Sequence, residues 1–252
     1  MTDSSSNMDN RFYPLPCMFT LASLFCGFYS IVAAINTEFK TAAIAILVAA
    51  IFDTLDGRVA RMTQTTSQFG AELDSLCDMV SFGVSPAILA YLWALHPYGR
   101  YGWLAAFLYV AMTSLRLARF NTKDSTSSSK NFIGLPCPAA AAMISAAVLF
   151  SHFLGVTGEV KHISLLLLVY ILSYLMVSTH TYYSFKELPK FKMNRFQMLV
   201  GLLLLFILVA AEPQIMLFAL FLIYLVSGPV FGLMTKLRAV KKKTIPTKKR
   251  EP

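Results

Sequence analysis

Eight stretches of this chain are apolar over close to the length that crosses a bilayer, at about residues 17–36, 41–61, 71–95, 101–119, 137–155, 163–183, 196–211 and 215–235. A backbone in hydrocarbon must satisfy its amides internally, and runs of roughly 20 residues do so as helices. The pattern excludes a soluble globule and predicts an all-α, polytopic membrane helical bundle with about eight transmembrane helices. Composition agrees, since 56% of residues are hydrophobic and 14% charged. A net charge of +9 would suit a nucleic-acid binder, but here the basic residues cluster at the ends of apolar runs, where they set orientation.

An even number of spans puts both termini on one side. Of the 22 Lys and Arg, Lys40, Arg100 and Lys161 alone fall opposite, which makes the crowded side cytoplasmic; one span more or fewer would erase the asymmetry. Tyr13, Tyr98, Tyr101, Trp103, Tyr182 and Tyr183 lie near span ends and predict an aromatic belt, to which Trp93 is also assigned. Met1 to Asn10 lacks the basic start of a cleaved signal peptide, so the first span is expected to stay. Asn121 to Lys130 reads as a polar cytoplasmic loop, and Pro136 and Pro138 open the fifth span, where missing amide donors cost least. Cys17, Cys26, Cys77 and Cys137 have no paired spacing and are expected to be buried free thiols. The basic tail from Lys236 fits either a topology determinant or a contact with anionic headgroups worth about 1 kcal/mol per basic residue.

Into this background the sequence sets Asp53-Thr-Leu-Asp56-Gly57-Arg-Val-Ala60-Arg61, then eight residues, then Gly70-Ala-Glu-Leu-Asp74-Ser-Leu-Cys-Asp78. Asp53 and Asp56 share one helical face near the cytoplasmic end of the second span, and Asp74 and Asp78 share another at the start of the third. Side by side, these two helices would bring four carboxylates together. Each costs about 2.5–3.5 kcal/mol at membrane depth if left uncompensated, so something positive must sit among them. An all-oxygen ligand set favours hard ions such as Mg²⁺ or Mn²⁺. Two such ions about 3.5–4 Å apart suit displacement at phosphorus. Gly57 and Gly70 permit close approach, Ala60 leaves room one turn from Asp56, and Arg61 suits phosphate oxygens. Ion or proton transporters also bury acids, yet transport would not explain Gly57, Ala60, Arg61 and Gly70 at fixed spacing.

The pattern resembles the signature of the CDP-alcohol phosphatidyltransferases, membrane enzymes that move a phosphatidyl or similar group from a CDP-linked donor to an alcohol. The resemblance implies that Asp53, Asp56, Asp74 and Asp78 hold two divalent cations, Mg²⁺ or Mn²⁺, with Asp78 also the catalytic base on the acceptor hydroxyl. It implies donor contacts at Gly57, Ala60, Arg61 and Gly70, with a further polar contact at Ser67. Pro16-Cys17-Met-Phe-Thr20 is similar to a first-span pattern near the nucleotide, Thr20 matching and Cys17 replacing an asparagine.

Four further segments, Asp78 to Ala87, Leu115 to Asn121, Gly134 to Ala141 and Tyr183 to Lys186, resemble the subgroup whose acceptor is serine. The implied substrates are CDP-diacylglycerol and L-serine; glycerol 3-phosphate, choline or inositol phosphate remain open as acceptors. Arg116, Arg119 and Lys186 are candidates for the serine carboxylate or a phosphate, with positive-inside anchoring the other reading, and His180 is expected to be a packing residue. The resemblance also implies a homodimer. The expected organisation is a cytoplasmic segment 1–13, a catalytic membrane domain 14–186 built on a six-helix core, a helix pair in 187–235 and a basic cytoplasmic tail 236–252.

Overall fold

A computed structural model describes residues 14–62, 68–122, 132–156, 163–178, 181–182, 203 and 212–243. Seven helices run through them: α1 (Pro14–Ile35), α2 (Phe39–Met62), α3 (Gln68–Tyr98), α4 (Arg100–Asn121), α5 (Cys137–Phe153), α6 (Ile163–Val177) and α7 (Pro213–Lys243). They coincide with seven of the expected spans. The remaining one, 196–211, lies outside the described residues apart from Leu203. By length and composition alone, Cys17–Ile35 and Gln68–Tyr98 qualify as membrane spans. The others fall short because α2 and α4 carry the site's charged residues and α5 and α6 are only 17 and 15 residues long.

Burial runs opposite to a water-soluble protein. Phe25, Phe28, Leu76, Phe107, Tyr174 and Ile223 are each at least 60% exposed, whereas the interior is rich in small residues, among them Ala34, Ala42, Ala43, Ala49, Ala140 and Ala141. Lipid tails give large apolar side chains no reason to hide, so helices associate where small side chains let backbones approach. Along α1 that seam is Thr20, Ser23, Gly27, Ser30 and Ala34, at alternating spacings of three and four, all buried. Ser23 donates to the Ala49 carbonyl of α2 at 3.1 Å, and Ser81 of α3 donates to the Ser23 carbonyl at 3.1 Å. A Cβ on Gly27 would stand 2.6 Å from the Ser81 Cα, so no larger residue fits this crossing. The α1–α2 reversal is a Schellman turn: Glu38 N–H bonds the Ala33 carbonyl and Thr37 N–H that of Ala34, with Thr37 left-handed at φ 63°.

Helix α3 is not uniformly α-helical. Two segments, Met79–Val84 and Tyr91–Leu95, have the wider π hydrogen-bond pattern, and the first begins immediately after Asp78. Packing explains that segment's residues. Ser81 reaches α1, the Phe82 carbonyl accepts a 3.2 Å bond from the buried Tyr109 hydroxyl of α4, and a Cβ on Gly83 would touch Thr113 of α4 at 3.2 Å.

Three sequence expectations need correction. Trp93 does not join an aromatic belt: it is 3% exposed and packs in the core, within the second π segment. Tyr101 and Trp103, at 70% and 51% exposed, do face outward. The sixth span does not run to 183; α6 ends at Val177, and Thr181–Tyr182 pairs antiparallel with Phe132–Ile133, which requires extended backbone. All four cysteines are free, Cys77 and Cys137 buried as expected, but Cys17 and Cys26 are only half-buried.

Candidate metal centre

The crossing of α1, α2 and α3 fixes the acidic motif. Asp53 and Asp56 stand in the C-terminal half of α2, and Asp74 and Asp78 in the first three turns of α3. One carboxylate oxygen each from Asp53, Asp56 and Asp74 lies within 4.8 Å of the others. Asp78 completes the group by approaching Asp53 within hydrogen-bonding distance. Carboxylates this close cannot all carry charge without a cation between them.

The donors fit a hard divalent ion. They are all oxygens, and Asp56, only 6% exposed, holds its Oδ2 buried with no hydrogen-bond partner among the described residues. A buried, unpartnered carboxylate oxygen is costly, and a coordinated cation removes that cost. Thr20, from the α1 seam, hydrogen-bonds Asp56. The first-span residue expected near the nucleotide thus stands directly beside a candidate metal ligand, which orients it.

The other expected donor contacts are distributed as follows. Gly57 is half-buried beside Asp56, and Gly70 lies in the first turn of α3. Ala60 and Arg61 continue α2 by one more turn. Ser67, His180 and Lys186 lie outside the described residues.

Arg116 and Arg119 have a role the sequence did not disclose. Arg116 Nη1 donates to the Met176 carbonyl at 3.1 Å and Arg119 Nη1 approaches that of Val177 at 3.4 Å. The α6 carbonyls before them are met by Ser178 N–H on Tyr174, at 3.1 Å, and by Leu135 N–H and the Ser178 hydroxyl on Leu175, at 3.0 and 2.8 Å. The last four carbonyls of α6, orphans by helix geometry, are therefore all satisfied, two of them by cations that also suit the negative end of the helix dipole. Gly134 makes room for this knot: its φ is +82°, and a Cβ there would stand 2.5 Å from the Met176 carbonyl oxygen and 2.9 Å from Arg116 Nη1.

Sequence reasoning also missed what lies between the acids and the arginines. The Cys137 thiol hydrogen-bonds Arg116 and is within electrostatic reach of Asp78, while Tyr224 of α7 is within electrostatic reach of Arg116. Single residues of this kind carry no spacing signature. A further tie is exposed: Ser75, next to Asp74, exchanges hydrogen bonds with Asn121 at the end of α4, with Asn121 Nδ2 donating at 3.0 Å.

With this geometry in place, comparison with known proteins defines the class. The sequence profile of the CDP-alcohol phosphatidyltransferases matches residues 13–174, and the chain belongs to that membrane-embedded, divalent-metal-dependent family. A CDP-diacylglycerol–serine O-phosphatidyltransferase of Helicobacter pylori (strain ATCC 700392 / 26695) is 39% identical over 218 residues, which cover 85% of this chain and 90% of that protein. A Bacillus subtilis (strain 168) protein of the same name is 35% identical, over 69% of this chain and 92% of its own. An archaetidylserine synthase of Methanothermobacter thermautotrophicus is 38% identical, over 68% and 70%.

Proposed function

We propose that this chain transfers the phosphatidyl group of CDP-diacylglycerol to the hydroxyl of L-serine, giving phosphatidylserine and CMP. The observation that carries this reading is the convergence of Asp53, Asp56 and Asp74 within 4.8 Å, with Asp78 against them, at adjoining helix ends. Serine as acceptor is supported by the names of relatives that match along most of the chain.

Asp53, Asp56, Asp74 and Asp78 would hold two Mg²⁺ or Mn²⁺ ions, which when bound supply charge stabilisation at the transferring phosphorus. Asp78 takes the proton of the serine hydroxyl. The serine oxygen forms a bond to the phosphorus that carries diacylglycerol, the bond from that phosphorus to the CMP oxygen breaks, and CMP departs with the electron pair. Gly57, Ala60 and Gly70 keep side chains out of the donor's path. Arg61 and Ser67 are the polar donor contacts, and Thr20 holds Asp56 in orientation. Arg116, Arg119 and Lys186 are the cations for the serine carboxylate or the donor phosphate.

Eight spans, both termini in the cytoplasm and a bacterial-type inner membrane fit the charge asymmetry, and place the site where CMP and serine are dissolved. The domain organisation set out from the sequence, and a homodimer of it, complete the reading. The purified chain with CDP-diacylglycerol and Mg²⁺ or Mn²⁺ should release CMP with L-serine and not with glycerol 3-phosphate, choline or inositol phosphate. Asp78→Asn should fold and release none; near-normal turnover by that variant would remove Asp78 from the role of base.

A further inference from the structure

Pro86 leaves a gap in the hydrogen bonding of α3 just beyond Asp78. In an α-helix the Phe82 carbonyl would accept from the amide four residues on, and that residue is Pro86, which has no N–H and whose ring crowds the same carbonyl. Here the helix widens instead: Ser85 N–H bonds back five residues to the Val80 carbonyl, and Met79–Val84 takes the π pattern. π turns of this kind are frequent at functional sites.

The carbonyl that Pro86 cannot serve is met from another helix. The Tyr109 hydroxyl of α4 donates to it at 3.2 Å, and Tyr109 is 0% exposed. On the α1 side of the same turn the Ser81 hydroxyl donates to the Ser23 carbonyl at 3.1 Å, while the Ser23 hydroxyl donates to Ala49 of α2, about one turn before Asp53. Neither side has slack. A Cβ on Gly27 of α1 would stand 2.6 Å from the Ser81 Cα, and one on Gly83 would stand 3.2 Å from the Thr113 methyl of α4. The backbone that leaves Asp78 is thus registered by hydrogen bonds both to the helix pair that carries Asp53 and Asp56 and to α4.

We propose that Tyr109 is a positioning residue for the metal centre: by holding the Phe82 carbonyl it fixes the π turn, and with it the direction in which Asp74 and Asp78 face Asp53 and Asp56. Its role involves no contact with substrate. Without the hydroxyl a buried carbonyl has to find another donor, and the amide that an α-helix would offer is missing at Pro86. The turn then shifts, and Asp78, from which it starts, moves with it. This rests on the four aspartates being the metal ligands.

The test uses the full purified chain with Mn²⁺ as the probe, its free concentration read by electron paramagnetic resonance, which needs neither donor nor acceptor. Wild-type binding that Asp56→Asn weakens tests the metal centre by itself; without it the reading of the site falls and this inference with it. Given that binding, Tyr109→Phe should weaken Mn²⁺ about tenfold, the lower end of what losing a partner behind metal ligands costs, and at saturating metal should lower kcat with the acceptor KM within about twofold. Pro86→Ala gives the Phe82 carbonyl an amide of its own. Added to Tyr109→Phe it should restore the melting temperature and leave Mn²⁺ binding weak, because the turn is then free to close as ordinary α-helix. An Mn²⁺ affinity in Tyr109→Phe equal to that of the wild type overturns the proposal while the metal centre stands. So does an affinity that recovers together with the melting temperature in the double variant, since it marks a loss of stability alone. Should Tyr109→Phe fail to fold, the double variant decides by the same affinity.

Discussion

The acidic and basic halves of the site are built on opposite plans. Asp53, Asp56, Asp74 and Asp78 crowd against one another, with the Asp56 Oδ2 buried and unpartnered among the described residues. Arg116 and Arg119 are instead tied into the end of α6, where their guanidiniums meet the Met176 and Val177 carbonyls. The first half is incomplete without a cation from outside; the second finds its partners within the fold. Catalytic demand should thus weigh against stability in the acids and with stability in the arginines.

The largest effect expected from this contrast is in activity. Asp53→Asn or Asp56→Asn should lower CMP release by more than the roughly 100-fold typical of a residue one step removed from a metal. Measured in chelator, however, the same variants should melt at or above the wild-type temperature, because like-charge crowding is relieved. A variant that melts well below wild type in chelator would break the comparison.

Next comes the metal itself. Ions that bind only the folded chain at about 100 times their Kd add about 2.7 kcal/mol, so Mg²⁺ or Mn²⁺ should raise the wild-type melting temperature clearly and that of Asp56→Asn little. Thermal scans with and without chelator decide it. On the basic side the order reverses. Arg116→Ala should cost about 1–3 kcal/mol of stability by leaving a buried carbonyl unmet, while metal-dependent stabilisation persists. Arg119→Ala, losing a contact of 3.4 Å, should cost less, on the order of 0.5 kcal/mol.

The acids were legible in the sequence because four carboxylates at helical spacing in an apolar chain can hardly mean anything but convergence. Seven helices were legible for the same reason of length and hydropathy, with α1 to α5 starting and ending close to expectation. The role of Arg116 and Arg119 as ligands of the α6 end was not, since it depends on where the chain 60 residues later happens to stop being helical. Trp93 was misread because closeness to a span end says nothing of which side of the helix a residue occupies, and this one packs in the core. The docking of α7 lay beyond reach: the helix reads as hydrophobic filler until the stack of Phe150 on Phe218 is seen.

The π segment after Asp78 has one further consequence. Ser85 N–H reaches back five residues to Val80 rather than four, so the helix carries a phase slip between the acids and the stretch that meets α1 and α4. An α-helix advances about 100° per residue. The angular offset between Asp74 and Asp78 on one side and Ser85 on the other is therefore fixed by how many residues lie between them. Forcing this stretch, at its present length, to close as ordinary α-helix would rotate Asp74 and Asp78 against Ser85 by about 100°, one residue's turn, with every side chain still present. The aim of the metal site is in this sense counted as much as it is composed.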